Sequence, residues 1–458
     1  MTVCSAVRAR LYAGRIEELL GAYANRLSVQ DRLSAQLDLW NAEWHRILAS
    51  VPYYQQRKRG LGLPERFRSW TEFIETVPVT RRSGVQENTR EMTSIGRPPQ
   101  LTRVSGGSTA EPVQMPAWRS EEASIGYNAW LGRSWYGASP SSRLLLLWGH
   151  SHLFGTGIRG WFRARKREAF DRMLGYKRLS AYGLHPEPLR RAAQELIEFK
   201  PDYMIGYSVA LDLFARANTD RREELRNAGL KVVIGTAECF PCPDSAALLE
   251  DLFGCPVAME YGSVECGVIA HTHPEGGYRV FWRSYFVEGE KGENAPRGLN
   301  VYITSLYPRC FPLVRYDLGD QIVTTHRGSE RLIGIEAFEK VIGRCNAYAV
   351  LKDGSMVHFE TFDTAIRDCP QIKAYQVIQD GLEIHVRYLS GEALSQEWMS
   401  TIHRRLARIH PDLARVKIAR AEQLEQTIAG KTPMVIRRKY EAPRTFPGLA
   451  GTGTTVRG

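Results

Sequence analysis

The 458-residue chain has no hydrophobic run that approaches a membrane span. Its most notable apolar stretch, Leu144–Trp148, falls far short of the ~20 residues needed to cross a bilayer. The N-terminal stretch MTVCSAVRARLYAGRIEELL lacks the continuous apolar core of a secretory signal, so a cytoplasmic protein is the expectation. Cysteine is sparse: the eight residues at 4, 239, 242, 255, 266, 310, 345 and 369 are too scattered for a disulfide framework. Cys239 and Cys242 have the spacing of half a zinc site, with Cys255, Cys266, His271 and His273 downstream. No second CxxC completes it, which favours free thiols over a metal centre. Several nucleotide and hydrolase signatures are missing too. There is no GxxxxGK[ST] and no GxSxG. A GxGxxG at 155–160 stands well past the nearest strand candidate, with no acidic residue ending a second strand, which argues against a dinucleotide site. No internal repeat is visible.

What is present is the composition of an ordinary globular protein: 43% hydrophobic and 24% charged residues. The length exceeds one typical core and predicts two or more domains. A net charge of +11 suits an acidic small molecule, an acidic carrier protein, an anionic surface or nucleic acid. The charge is spread out. The densest cluster, 159–167 (RGWFRARKR), reads as a solvated helix face with its aromatics buried, or as a patch for an anionic partner. Neither nucleic acid nor membrane is expected as a partner, and the oligomeric state is left open, a dimer included.

Residues 1–60 read as helical, with Leu33, Leu37, Trp40, Trp44 and Ile47 at helical spacing and a break at Val51-Pro52. A loop-rich connection is expected to follow. From residue 143 strands and helices alternate: strands at 144–148, 203–206, 231–234 and 256–261, helices at 188–199 and 207–217, and a helix from Asp244 as its cap to Phe253, stopped by Gly254. That alternation predicts an α/β fold with parallel pairing. Further strands are expected at 301–305 and 321–325. Near residue 343 the pattern changes to a small α+β unit. It has a hairpin turning at Asp380-Gly381, a helix at 396–409 and a possible strand at 415–419. The expected division is a large domain at 1–343, a small mobile domain at 344–440 and a Gly-, Pro- and Thr-rich tail at 441–458 read as disordered.

Residues 101–113 (LTRVSGGSTAEPV) concentrate Ser105, Gly106, Gly107, Ser108 and Thr109. Locally this run is either a flexible linker or a loop that wraps backbone N–H groups around phosphate oxygens. Other charged turns follow in order: GTAEC at 235–239, EYGSVE at 260–265, RYDLGD at 315–320, IGR at 342–344 and AGKTP at 429–433. Each alone is an ordinary turn.

Together, in that order, they resemble the adenylate-forming superfamily of acyl- and aryl-CoA ligases, adenylation domains and luciferases. Within it the chain is most similar to the phenylacetate-CoA ligase and CapK-like branch. The resemblance runs over about 45–440 and includes SVPYY at 50–54, WTEFIETVPVTRRSGVQEN at 70–88 and FKPDYMIGYSVALDLFARA at 199–217. It implies ATP-dependent activation of a carboxylic acid, aromatic by expectation, to an acyl-AMP. The acyl group then passes to a thiol of CoA or of a carrier protein. It also implies roles. Ser105, Gly106, Gly107, Ser108 and Thr109 would hold the β- and γ-phosphates. Glu238 would border the adenine, with Tyr261 stacked near it. Glu265 would coordinate Mg²⁺, and Asp320 would take the two ribose hydroxyls. Arg344 would contact the ribose or phosphates, Asn346 would sit at the hinge, and Lys431 would bridge the carboxylate and α-phosphate. By position beside these motifs, Trp148, His150, His152, Phe154, Tyr207 and Ser208 are candidates for the acid pocket, with core packing as the competing role for Trp148 and Phe154.

The sequence departs from the family pattern in several places. Ala110-Glu111 stand where glycine and lysine are usual, Val264 where threonine is common and Asn346 where an acidic hinge residue is usual. KVIGR at 340–344 replaces the CxCGR-type segment of the zinc-binding members. Two alternatives stay open: capture of the acyl-AMP by an amine, and a nucleotide-binding module that no longer catalyses.

Overall fold

The structure, a computed structural model, describes residues 3–24, 27–104, 113–148, 157–181, 186–292, 298–325, 330–344, 348–352, 356–366, 369–425 and 432–438. Its centre is an eight-stranded sheet. Across the sheet the strands run Ala337–Phe338, Tyr278–Val280, Gly267–Thr272, Val257–Ser263, Val232–Thr236, Tyr203–Tyr207, Leu144–Trp148 and Tyr176–Ser180. The last five pair in parallel and the first three add on antiparallel.

The central strands Leu144–Trp148, Tyr203–Tyr207 and Val232–Thr236 are largely apolar because both faces are covered, as parallel sheets require. Side chains alternate between faces along a strand. Leu145, Leu147, Met204 and Val233 pack with the helices Pro186–Phe199, Ser208–Ala217 and Ser245–Phe253. Leu144, Tyr203, Ile205, Val232 and Ile234 pack on the other side with Ile16 and Trp130. The α/β class and the parallel pairing expected from the sequence are both present.

The N-terminal helices Val3–Ala24 and Val29–Ser50 are the helical segment read from the spacing. Trp40, Trp44 and Ile47 are buried, and the Ser28 hydroxyl caps the second helix at the Asp31 N–H. The chain does break at Val51, but Pro52 opens a new helix, Pro52–Leu61, in the first-turn position that suits proline. The connection expected to be loop-rich also holds two short helices, Trp70–Thr76 and Arg82–Glu87. Two further expectations are corrected. Asp244 precedes the helix Ser245–Phe253 but makes no capping bond; its carboxylate accepts from Arg216 Nη2 at 2.8 Å instead. Phe162, expected to be buried on the basic helix Gly157–Leu174, is 63% exposed.

A five-stranded antiparallel sheet follows: Arg331–Leu332, Tyr285–Glu290, Leu299–Ser305, Tyr316–Val323 and Lys340–Arg344. Its core includes Trp70, Phe73 and Phe286. The hairpin Ala374–Asp380 to Glu383–Leu389 turns with Gly381 at φ 61°, flanked in parallel by Val435–Arg438 and Lys417–Arg420. The helix Gln396–Ile409 buries Ile402 and Leu406 against it, within a separate core drawn from residues between Ala349 and Val435. Among the described residues no helix is long and apolar enough to cross a membrane.

Candidate active site

Parallel strands present their C-terminal ends along one edge, where α/β sheets place ligands. Four adjacent strands do so here. Leu144–Trp148 ends on Trp148 and Tyr203–Tyr207 on Tyr207, while Val232–Thr236 and Val257–Ser263 run into the turns that carry Glu238 and Glu265.

Trp148 and Tyr207 touch, with ring centroids 4.4 Å apart. Trp148 is half-buried and Tyr207 buried. Ser208, which starts the next helix, is fully buried, and its hydroxyl donates to the Glu238 carbonyl at 2.8 Å. That bond makes Ser208 a support for the Glu238 turn. His150, His152 and Phe154 lie outside the described residues.

The Glu238 turn is tightly built. Ala237 sits at φ 70°, in the left-handed region that disfavours side chains. At Gly235 an added Cβ would stand 2.6 Å from Met259 Sδ and 2.9 Å from Ser208 Oγ. The Glu238 carboxylate accepts from the Val209 N–H at 3.2 Å and, across the molecule, from the Thr432 N–H at 3.0 Å. Thr432 follows Lys431 directly. Lys431 lies outside the described residues, yet its neighbour's backbone is fixed to the turn singled out for the adenine.

Tyr261 is buried, with Phe338 and Tyr278 edge-on to its ring at 5.8 and 6.4 Å. Its hydroxyl donates to Asp320 Oδ2 at 3.1 Å. Asp320 lies on the strand Tyr316–Val323, and the backbone of Arg344 is its antiparallel partner. Thus Tyr261, Asp320 and Arg344 come together. Asn346 and the loop residues Ser105, Gly106, Gly107, Ser108 and Thr109 lie outside the described residues, though the loop's stems, Leu101–Val104 and Gln114–Ala117, pair as a two-stranded ribbon.

Glu265 is buried in the turn between Val257–Ser263 and Gly267–Thr272. Arg82 Nη1 stands 3.6 Å from its Oε1, and Arg309 Nη2 donates to its backbone carbonyl at 2.5 Å. Arg309 is buried and paired with Glu121 at 3.7 Å. Glu121 also pairs with Arg103 at 3.2 Å and accepts from the Trp118 and Cys310 N–H groups. Arg103 stands on the stem of the 105–112 segment, so a buried charge network ties that stem to the Glu265 turn. Burial pushes the Tyr316 hydroxyl well above its usual range; the Glu265 charge adds to this and that of Arg82 opposes it. Glu121 and Arg309 carry no motif signal in the sequence, and Arg82 and Arg103 lie in the 70–88 and 101–113 stretches without a role of their own there. Only the tertiary contacts single them out.

The cysteines do not converge. The Cys239 thiol donates to the Val341 carbonyl at 3.7 Å and that of Cys242 to Lys373 O at 3.0 Å. Cys255 and Cys266 lie in different cores, each thiol pushed up to about 12 by burial. Among the described residues no group of three or more His, Cys, Asp or Glu is placed to hold a metal ion. Glu265 as a single carboxylate fits Mg²⁺ of the kind that arrives with a nucleotide, held by one or two carboxylates and by phosphates.

No family model and no curated protein sequence matches the chain. Solved structures do. The chain has the fold of the adenylate-forming ligases. It is similar to 2-hydroxyisobutyryl-CoA ligase in the postadenylation state, in complex with R3-HIB-AMP, with a TM-score of 0.67 and 17% identity over 90% of this chain and 91% of that one. Against the same ligase with 2-HIB-AMP and CoA in the thioesterification state the TM-score is 0.57, at 16% identity over 90% and 91% of the two chains. An ATP-bound RpMatB-BxBclM chimera matches at 0.50 and 14% identity, over 74% and 68%.

Proposed function

We propose that the protein activates a carboxylic acid, aromatic in our reading, with ATP, forming an acyl-AMP and releasing pyrophosphate. The acyl group then passes to the thiol of CoA or of a carrier protein. The observation that carries this reading is that Glu238 and Tyr261, on adjacent strand ends of the sheet, hold Thr432 and Asp320 respectively. The fold shared with acyl-CoA ligases supports it, and the sequence motifs at the same positions favour the phenylacetate-CoA ligase and CapK-like branch.

In the first step a carboxylate oxygen attacks the α-phosphorus and the bond to the β-phosphate breaks. Two anions must approach, so the site has to supply positive charge where it builds. Lys431 does this between carboxylate and α-phosphate. Asp320 accepts the two ribose hydroxyls and the Tyr261 hydroxyl steadies it. Trp148 and Tyr207 offer an aromatic wall to the acid. Mg²⁺, held by Glu265 with the phosphates, supplies further charge neutralisation when bound. In the second step a thiolate attacks the acyl carbon and AMP leaves. The small domain, 344–440 in our reading, swings to admit the thiol and withdraws Lys431. The higher TM-score to the postadenylation form supports reading the Thr432–Glu238 contact as belonging to the adenylating arrangement.

The test is acid-dependent exchange of pyrophosphate into ATP over a broad acid panel. We expect exchange with at least one aromatic acid, and its loss by orders of magnitude in Lys431→Ala. No exchange with any acid overturns the reading. Product analysis with CoA, a carrier protein and amines then identifies the acceptor; an amide as sole product would replace thiol transfer by amide ligation.

A further inference from the structure

We propose that Arg309 is a positioning residue for Glu265: it fixes the peptide that aims this carboxylate at the metal brought in with ATP. The inference rests on the adenylation reading above. Carbonyls in a turn at a sheet edge are ordinarily left to water. Here two consecutive ones are taken by buried side chains from distant parts of the chain. Arg309 Nη2 donates to the Glu265 carbonyl, 44 positions away in sequence, and the Tyr285 hydroxyl donates to the Cys266 carbonyl, 19 positions away. The Cys266 N–H is also held, by Ser263 Oγ at 3.1 Å.

Arg309 is itself anchored. Its carbonyl accepts from Arg46 Nη2 at 3.0 Å. The next residue, Cys310, donates its N–H to Glu121 Oε1 at 2.9 Å and accepts from the Ser94 N–H at 2.8 Å. The guanidinium lies 5.7 Å from the centre of the Tyr307 ring, and the Tyr307 hydroxyl bonds that of Tyr285 at 3.1 Å. The two donors to the turn thus share one buried platform.

Glu121 does not account for this arginine. Its Oε1 already accepts from the Trp118 and Cys310 N–H groups, and Arg103 stands 3.2 Å from its Oε2. Arg309 is farther from that oxygen, at 3.7 Å, beyond direct hydrogen-bond range. Its bond at hydrogen-bond distance goes to Glu265. Burying a guanidinium to satisfy one carbonyl is costly, and fixing the backbone of Glu265 is what it achieves. A metal held by one protein carboxylate and by phosphates has no other protein ligand to correct a misaimed one.

The test is calorimetry on the full chain, with ATP in Mg²⁺, ATP in EDTA, and AMP as separate titrations. In the wild type Mg²⁺ should tighten ATP binding. In Arg309→Met that gain should shrink about 10- to 100-fold, the range for a lost support of a metal ligand. AMP, and ATP in EDTA, should stay within about twofold of the wild type. Arg309→Lys should recover part of the gain, because an ammonium can still donate. Tyr285→Phe, which keeps the ring, should lose about 2- to 5-fold and stands in if Arg309→Met fails to fold. An unchanged gain in the folded variants overturns the proposal. So does an equal weakening of all three titrations, which would mark a merely structural role. A loss as large in Arg103→Met would show that Glu121 matters and not the Glu265 carbonyl. Wild-type ATP binding without any Mg²⁺ effect overturns this inference and leaves adenylation standing; no nucleotide binding at all overturns both.

Discussion

Replacing Glu238 by glutamine tests how the Lys431 loop is held, with almost no change of shape. Both Glu238 oxygens accept from backbone N–H groups, Val209 on one side and Thr432 on the other. A glutamine keeps one acceptor and turns an NH₂ towards the other donor, so one of the two bonds is lost whichever way the amide sits. A hydrogen bond to a charged group contributes ~1.5–3 kcal/mol. Glu238 is only half-buried, so we take ~1–1.5 kcal/mol for the Thr432 bond after screening. That corresponds to about a 5- to 10-fold drop in the docked population. Thr432→Pro removes the same bond from the other side, because proline has no N–H. The assay is acid-dependent pyrophosphate exchange at saturating ATP, set beside transfer from preformed acyl-AMP to the acceptor. Exchange should fall about 5- to 10-fold in each single variant and no further in the double, since one shared bond is lost. Transfer should be retained in full. Additive losses, or equal losses in both half-reactions, would refute docking through Glu238.

Other perturbations bear on the nucleotide and on the frame beneath it. Tyr261→Phe keeps the ring against Tyr278 and Phe338 but removes the donor to Asp320, and should raise the KM for ATP about 2- to 5-fold. Asp320→Ala should cost at least about 100-fold in kcat/KM; an unchanged value would sink the ribose assignment. His271 is fully buried, with Glu260, Arg133 and His273 around it, and burial holds its pKa below the usual histidine range. The unfolded chain then binds more protons than the folded one below pH ~6.5, so stability is lost as pH falls through that value, with a slope of up to ~1.4 kcal/mol per pH unit. Thermal melts of the wild type and His271→Gln from pH 7.5 to 5 should diverge accordingly; parallel curves would mean His271 titrates normally. Gly132→Ala would put a methyl 2.6 Å from the His271 ring. We expect a net loss of ~1–2 kcal/mol, the crowding of a packed site outweighing alanine's ~1 kcal/mol advantage in a helix, read as a lower urea midpoint.

What the sequence disclosed depended on how local the cause was. The helix Gln396–Ile409 falls on its expected bounds because a Ser395 cap, two buried apolar positions and a following proline act within the helix itself. The hairpin at Asp380-Gly381 is legible because the turn needs positive φ, and Gly381 provides it at 61°. The central parallel strands show as apolar runs since both faces are buried, whereas the edge strand Tyr176–Ser180, with Lys177 and Arg178, does not. Long-range effects left no such trace. Asp244 has the identity and position of a cap, but Arg216 takes its carboxylate. Glu121 accepts from Cys310 across 189 positions of sequence, which no period or spacing encodes. Arg82 sits in a stretch quoted only for its resemblance to a family; the pairing of Thr80 with the Tyr316–Val323 strand is what turns it towards Glu265.

These contacts have a common electrostatic logic. The edge of the sheet gathers Glu238, Glu265 and Asp320, and the proposed reaction brings a triphosphate and a second carboxylate to the same place. Such a site repels its own substrates unless cations neutralise them. Arg309 and Arg103 pair with Glu121, and in our reading Lys431 supplies the charge on the acid side. It reaches the site only when the loop beside Thr432 is docked on Glu238. Glu238→Gln should then act through kcat for exchange, with affinity for ATP little changed.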